Sequence, residues 1–123
     1  MHLNTTSHTF RAASVLGLSA TLSLLTSCGN PTPEVKIQMS DFSFEPNGFT
    51  ISRSTKTIVK LDNTGSVDHQ LKVARLNITS PVVAPGKSAT VEIIAPSGPL
   101  QFACAFHEAQ GMVGQITVSL TKA

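Results

Sequence analysis

Period-two alternation runs through residues 35–120 and limits what this chain can fold into. Val35-Lys36-Ile37-Gln38-Met39, Thr57-Ile58-Val59-Lys60-Leu61-Asp62, His69-Gln70-Leu71-Lys72-Val73 and Gln115-Ile116-Thr117-Val118-Ser119-Leu120 set apolar residues against polar ones. Val91-Glu92-Ile93 and Leu100-Gln101-Phe102-Ala103-Cys104 follow the same rule. A strand turns successive side chains to opposite faces, so the pattern predicts half-buried β-strands. Between them lie Pro46-Asn47-Gly48, Asn63-Thr64-Gly65, Ala84-Pro85-Gly86 and Pro96-Ser97-Gly98-Pro99, which carry turn chemistry. Short strands with regular turns predict a sandwich or barrel. This part of the chain shows no convincing helical period, internal repeat or low-complexity segment. A single domain of about 90 residues buries only a modest core, so a bound metal would add to its stability.

The first residues read as an address rather than as part of that domain. Met1 to Arg11 is polar, and Ala12 to Leu25 is apolar or small throughout. That length and those flanks fit the apolar stretch of a signal peptide. It ends in Leu25-Thr26-Ser27-Cys28, which resembles the bacterial lipobox, where cleavage precedes the cysteine and lipid is attached to its sulfur. The expected organisation is a removed leader over 1–27, a lipidated Cys28 with a polar tether over 28–34, and one domain over 35–123. An ordinary secreted protein cut nearby, or an N-terminal helix, are the other readings. In the lipidated reading the protein sits outside the cytoplasm, held to a bacterial membrane by its lipid and facing the periplasm or the cell exterior.

Charge removes other classes. Nine Lys and Arg against seven Asp and Glu give +2 with no basic block, and there is neither Trp nor Tyr. A clustered basic face and stacking aromatics are both missing, so nucleic acid is not an expected partner. No apolar run reaches the about 20 residues that a spanning helix needs.

One segment stands apart from the alternation. Cys104-Ala105-Phe106-His107-Glu108-Ala109-Gln110-Gly111-Met112 reads C-x2-H-x4-M, and His69 lies upstream at the start of a strand. With the leader removed, His69 and His107 are the two remaining histidines. Taken singly, Cys104 reads as a buried core thiol or a disulfide partner of Cys28, His69 as an ordinary strand histidine and Met112 as core filler. Together they form a set of two imidazoles, a thiolate and a thioether. Thiolate and thioether are soft and imidazole borderline, and His2Cys with a weak axial Met is the arrangement of electron-transfer copper. Zinc can bind such groups, but its structural sites usually use Cys and His alone and its catalytic sites keep an open water position. The loop between Cys104 and the strand beginning near Gln115 must turn back, so its three donors can converge. Gly111 and Gly114 allow the tight backbone this requires.

At this point the sequence resembles the cupredoxins, single-domain blue-copper proteins of the plastocyanin and pseudoazurin kind. The resemblance runs from Val35 to Leu120: Phe44-Glu45-Pro46 leading into Phe49-Thr50-Ile51, then Asn63 through His69. Ala84-Pro85-Gly86-Lys87, Phe102-Ala103-Cys104, His107, Gly111-Met112 and Gly114-Gln115-Ile116-Thr117-Val118 complete it. It implies an all-β, Greek-key β-sandwich or barrel of about seven to eight strands. It implies one type 1 copper with His69, Cys104 and His107 as equatorial ligands and Met112 as the axial one. Both histidines would ligate through Nδ1, and Nε2 of His107 would face solvent. Three positions depart from the family. Gln70 stands where many relatives have an Asn that ties the ligand loops together. Asp68 replaces a commonly neutral residue and would favour Cu(II). Phe106 stands where Gly or Pro is common and would enlarge an apolar docking surface with Ala109 and Val113.

The expected function is a membrane-tethered, one-electron carrier, monomeric, that docks transiently on protein redox partners. The alternative is copper storage, delivery or tolerance with the same ligands. Met-rich or His-rich tracts would favour that alternative, and they are absent. An enzyme is not expected, because a catalytic second copper needs further histidines and the chain has none to spare.

Overall fold

Nine strands in two sheets result from the alternation. The computed structural model describes residues 29–121; the expected leader and the lipidation site Cys28 lie outside the described residues. The strands are β1 (Glu34–Ser40), β2 (Ser43–Glu45), β3 (Gly48–Ser52), β4 (Thr57–Asn63), β5 (Leu71–Val73), β6 (Ile78–Thr79), β7 (Ser88–Ile93), β8 (Leu100–Cys104) and β9 (Val113–Ser119). One sheet has the order β2-β1-β4-β7 and the other β3-β9-β8-β5-β6. The architecture is therefore the expected all-β sandwich. Nine strands stand close to the expected seven to eight; β2 and β6 span three and two residues and are too short to show a period. Two single 3-10 turns, Ala74–Leu76 and Glu108–Gln110, complete the elements. Glu34, expected in the tether, is the first residue of β1, where it pairs with Ile58 and lies 3.0 Å from Lys60.

The period-two pattern fixes which side chains enter the core. Thr57, Val59, Leu61 and Asn63 of β4 are buried while the residues between them are not. Ile37 and Met39 of β1 and Phe102 of β8 join them between the sheets. Phe102 packs edge-on to Phe44 at 4.9 Å and tilted against Phe49 at 5.5 Å between ring centroids. Gly114 lies against Phe102 so closely that a Cβ would overlap its ring. Aromatic contacts of this geometry add to the burial of apolar area.

Register brings the chemistry to one end of the sandwich. Cys104 ends β8, and Leu71 at the start of β5 pairs with it antiparallel. β9 runs antiparallel to β8, with Val113 opposite Ala103. The segments just before β5 and β9, which carry His69 and Met112, therefore lie beside the end of β8.

Candidate metal centre

The hairpin from β8 to β9 is folded by its own backbone. The N–H of Cys104 donates to the carbonyl of Met112 at 2.9 Å, and the N–H of Met112 to the carbonyl of His107 at 3.2 Å. The N–H of His107 donates back to the carbonyl of Cys104 at 3.3 Å. Gly111 closes the 3-10 turn at φ +84°, in the left-handed region that costs glycine least. Cys104, His107 and Met112 are thus mutually tied by main-chain bonds that leave their side chains free.

The fourth residue arrives on a separate segment. The backbone of His69 makes a two-bond bridge with Val83, with N–H to carbonyl distances of 3.1 and 2.8 Å. The preceding loop is held by Asn63, which is buried at the end of β4. Its Nδ2 donates to the carbonyls of Val67 at 2.8 Å and Val83 at 2.7 Å, and its Oδ1 accepts from the N–H of Gly65 at 2.9 Å.

These two segments converge on a point. Cys104 Sγ lies 3.7 Å from Nδ1 of His69 and 3.4 Å from Nδ1 of His107, and the three donor atoms all lie within 4.8 Å of one another. Cys104, His69 and Met112 are fully buried, and His107 is half-buried. The imidazoles meet edge to face at 5.1 Å. Burial and the neighbouring His107 ring hold the pKa of His69 below its ordinary value, against the opposing pull of Asp41. The ring is therefore kept neutral, the state that presents a lone pair to a metal. A buried thiol faced by two imidazole nitrogens, with a thioether on the same loop, fits copper better than zinc.

The three departures resolve differently. Gln70 Nε2 donates to the carbonyl of Ser80 at 2.8 Å and does not bridge the ligand loops. Its own carbonyl does so instead, accepting the N–H of Ala105 at 2.8 Å. Asp68 is exposed, and the carboxylate facing His69 is Asp41, whose Oδ1 lies 3.7 Å from Nε2. Two bonds from Ser66 keep Asp41 ionised below the usual carboxylate range. Phe106 is exposed beside His107, and the apolar residue that lines the same rim is Val67. Phe42 packs edge-on to His107 at 5.1 Å. Val113 instead lines a separate groove with Asn47, Pro99 and Gln115.

Comparison with known proteins agrees with this geometry. The family model of the cupredoxin-like domain matches residues 12–118. This chain belongs to the cupredoxin-like family. No curated protein sequence matches it. Among solved structures, the dithionite-reduced auracyanin of Roseiflexus castenholzii superposes with a TM-score of 0.61 at 22% identity, over 74% of this chain and 99% of that one. Auracyanin A, a "blue" copper protein of Chloroflexus aurantiacus, gives 0.58 at 16% identity over 70% and 99%. The metal-binding domain of the Cu(I)-exporting P-type ATPase CopA of Streptococcus pneumoniae, with Cu(I), gives 0.58 at 12% identity over 70% and 84%. At these identities the likeness is one of fold.

Asp41 and Asn63 carry no signal of their site roles in the sequence. Asp41 sits in the turn from β1 to β2 and meets a serine 25 residues away. Asn63 belongs to a stretch whose composition reads only as a turn.

Proposed function

We propose that this cupredoxin-like protein is a one-electron carrier with one type 1 copper held by His69, Cys104, His107 and Met112. The observation that carries the reading is the convergence of two Nδ1 atoms and a buried Sγ within 4.8 Å. Copper bound there would cycle between Cu(II) and Cu(I). The protein's own part is to keep the donors in place. The thiol is buried and close to both imidazoles, and the loop that carries it is bonded to itself, so little rearrangement accompanies a change of charge. Burial of Cys104, His69 and Met112 excludes water from most of the site. His107 is the one ligand with an exposed edge, rimmed by Phe42, Val67 and Phe106. A partner docked on that rim comes nearest the site through the His107 ring. A small apolar surface suits brief redox encounters.

In the same reading Cys28 carries lipid, the segment up to Pro33 is a tether, and the domain works outside the cytoplasm beside membrane-bound donors and acceptors. A tether of this kind raises the effective concentration of the carrier near such partners. The named auracyanins support the carrier reading. The likeness to a Cu(I)-bound ATPase domain supports a second reading, delivery of copper to another protein.

The test is the visible spectrum of the protein with Cu(II), beside a Cys104→Ser control. An intense thiolate-to-copper band, absent from the control and bleached by ascorbate, is expected. A colourless protein overturns the carrier. A coloured protein that surrenders its copper to an acceptor faster than it exchanges electrons supports delivery.

A further inference from the structure

Nε2 of His69 is wholly buried and has no hydrogen-bond partner among the described residues. If Nδ1 binds the metal, the ring proton must sit on Nε2, and a buried N–H without an acceptor is costly. The nearby carboxylate oxygen is Oδ1 of Asp41 at 3.7 Å, somewhat beyond hydrogen-bond length. Asp41 is itself fixed, with Oδ1 accepting the Ser66 N–H at 2.8 Å and Oδ2 the Ser66 hydroxyl at 2.5 Å. A carboxylate oxygen accepts more than one bond, so Oδ1 keeps capacity toward the imidazole.

Residue 65 keeps the space between the two groups clear. A Cβ there would collide with Asp41 Oδ1 and stand 3.1 Å from His69 Nε2. The turn after β1, the glycine of the loop after β4 and His69 are thus arranged around one corridor.

We propose that Asp41 is a positioning residue that accepts the Nε2–H of His69 in the metal-loaded protein. The inference rests on the copper reading above. Metal-bound histidines commonly give their second N–H to such a group, which fixes the ring and raises its basicity. A more basic imidazole stabilises the more highly charged metal, so Asp41 holds the reduction potential down.

The experiment compares copper-loaded wild type, Asp41→Asn and Asp68→Asn by redox titration, with the thiolate band as a check on loading. Asp41→Asn keeps a side-chain oxygen for the Ser66 N–H but removes the charge. It is expected to change the ratio of Cu(I) to Cu(II) affinity about tenfold, an upward shift of about 59 mV for a one-electron couple. Asp68→Asn, which removes the charge next to His69 in sequence but one whose carboxylate makes no contact with its Nε2, is expected to shift it less. An unchanged potential in Asp41→Asn, or an equal shift in Asp68→Asn, overturns the proposal. A second measurement needs no variant: in the Cu(I) protein the Nε2 proton of His69 is expected to persist in the NMR spectrum, shifted downfield. Exchange as free as that of the His107 ring proton overturns the proposal even if Asp41→Asn does not fold. If wild type shows no thiolate band, the copper reading itself has failed; an intact band with an unmoved potential fails the role of Asp41 alone.

Discussion

Asn63→Ala tests whether the loop carrying His69 is held by one buried amide. The substitution removes three hydrogen bonds, to the carbonyls of Val67 and Val83 and from the N–H of Gly65. At about 1 kcal/mol net per bond the first figure is about 3 kcal/mol. The structure lowers it. The Val83 carbonyl keeps the His69 N–H at 3.1 Å, and the Gly65 N–H keeps the Met39 carbonyl at 3.2 Å. Val67 is exposed, so water can reach its carbonyl. No partner is therefore left both buried and bare, and the expected loss is about 2 kcal/mol. With neither Trp nor Tyr in the chain, unfolding is followed by far-UV circular dichroism in urea on the metal-free protein. The slope should be unchanged and the midpoint lower. A loss under about 0.5 kcal/mol would mean the loop is fixed by other contacts, and one above about 4 kcal/mol that His69 or Gly65 loses its remaining bond as well.

Four further outcomes are expected. Gly114→Ala forces a Cβ into the Phe102 ring and toward the backbone carbonyl of Asn47 at 2.5 Å, and should cost about 2 to 3 kcal/mol in urea unfolding. Gly111→Ala meets open space and pays only for its φ of +84°, about 1 kcal/mol in the same assay. The metal-free protein should lose stability on acidification: burial holds His69 below its ordinary 6.5, so the unfolded chain takes up protons first as pH falls below about 6.5, and Asp41, held below its ordinary 3.8 by Ser66, withdraws its contribution at lower pH still. Urea midpoints that stay constant from pH 7 to 5 would contradict the depressed His69. Lys72→Met, which breaks the exposed 2.8 Å pair with Glu108 beside His107, should change stability by less than about 1 kcal/mol; a larger loss would make that pair a strut of the ligand loop.

The candidate site was legible in the sequence because three of its four residues share one short loop and the fourth is one of two histidines left once the leader is set aside. A thiolate, an imidazole and a thioether at that spacing have few other uses. The longer strands were legible for a different reason: residues such as Val59 and Leu61 must face one way and Lys60 the other, whatever the partner strands are. The groups around the ligands were not legible, because their contacts are far apart in sequence. Asp41 meets Ser66 across 25 residues, and Asn63 meets Val83 across 20. β2 and β6 escaped for want of length. Gln70 makes a general point: its side chain turns to Ser80, but the bond that joins the two segments is made by its backbone carbonyl, which a substitution leaves in place.

That last point bears on how the site is built. Cys104, His107 and Met112 are linked through N–H and carbonyl groups, His69 is bridged to Val83, and Gln70 is joined to Ala105, all without a ligand atom taking part. The side-chain donors are left to face one another: Sγ and two nitrogens in van der Waals range, one of those rings buried beside a second imidazole. In an unfolded chain such donors would scatter, and in a fold stabilised only by metal they would separate without it. The sandwich and its backbone hydrogen bonds position the segments that carry them, so folding meets part of the cost of crowding the donors. A site ordered in this way relaxes little when its charge changes by one. An electron carrier depends on that property, whereas a delivery protein gains from a loop that opens. The backbone ties therefore weigh toward retention of the metal and toward the carrier reading, in which the half-buried His107, beside Phe42 and Phe106, is the route for the electron.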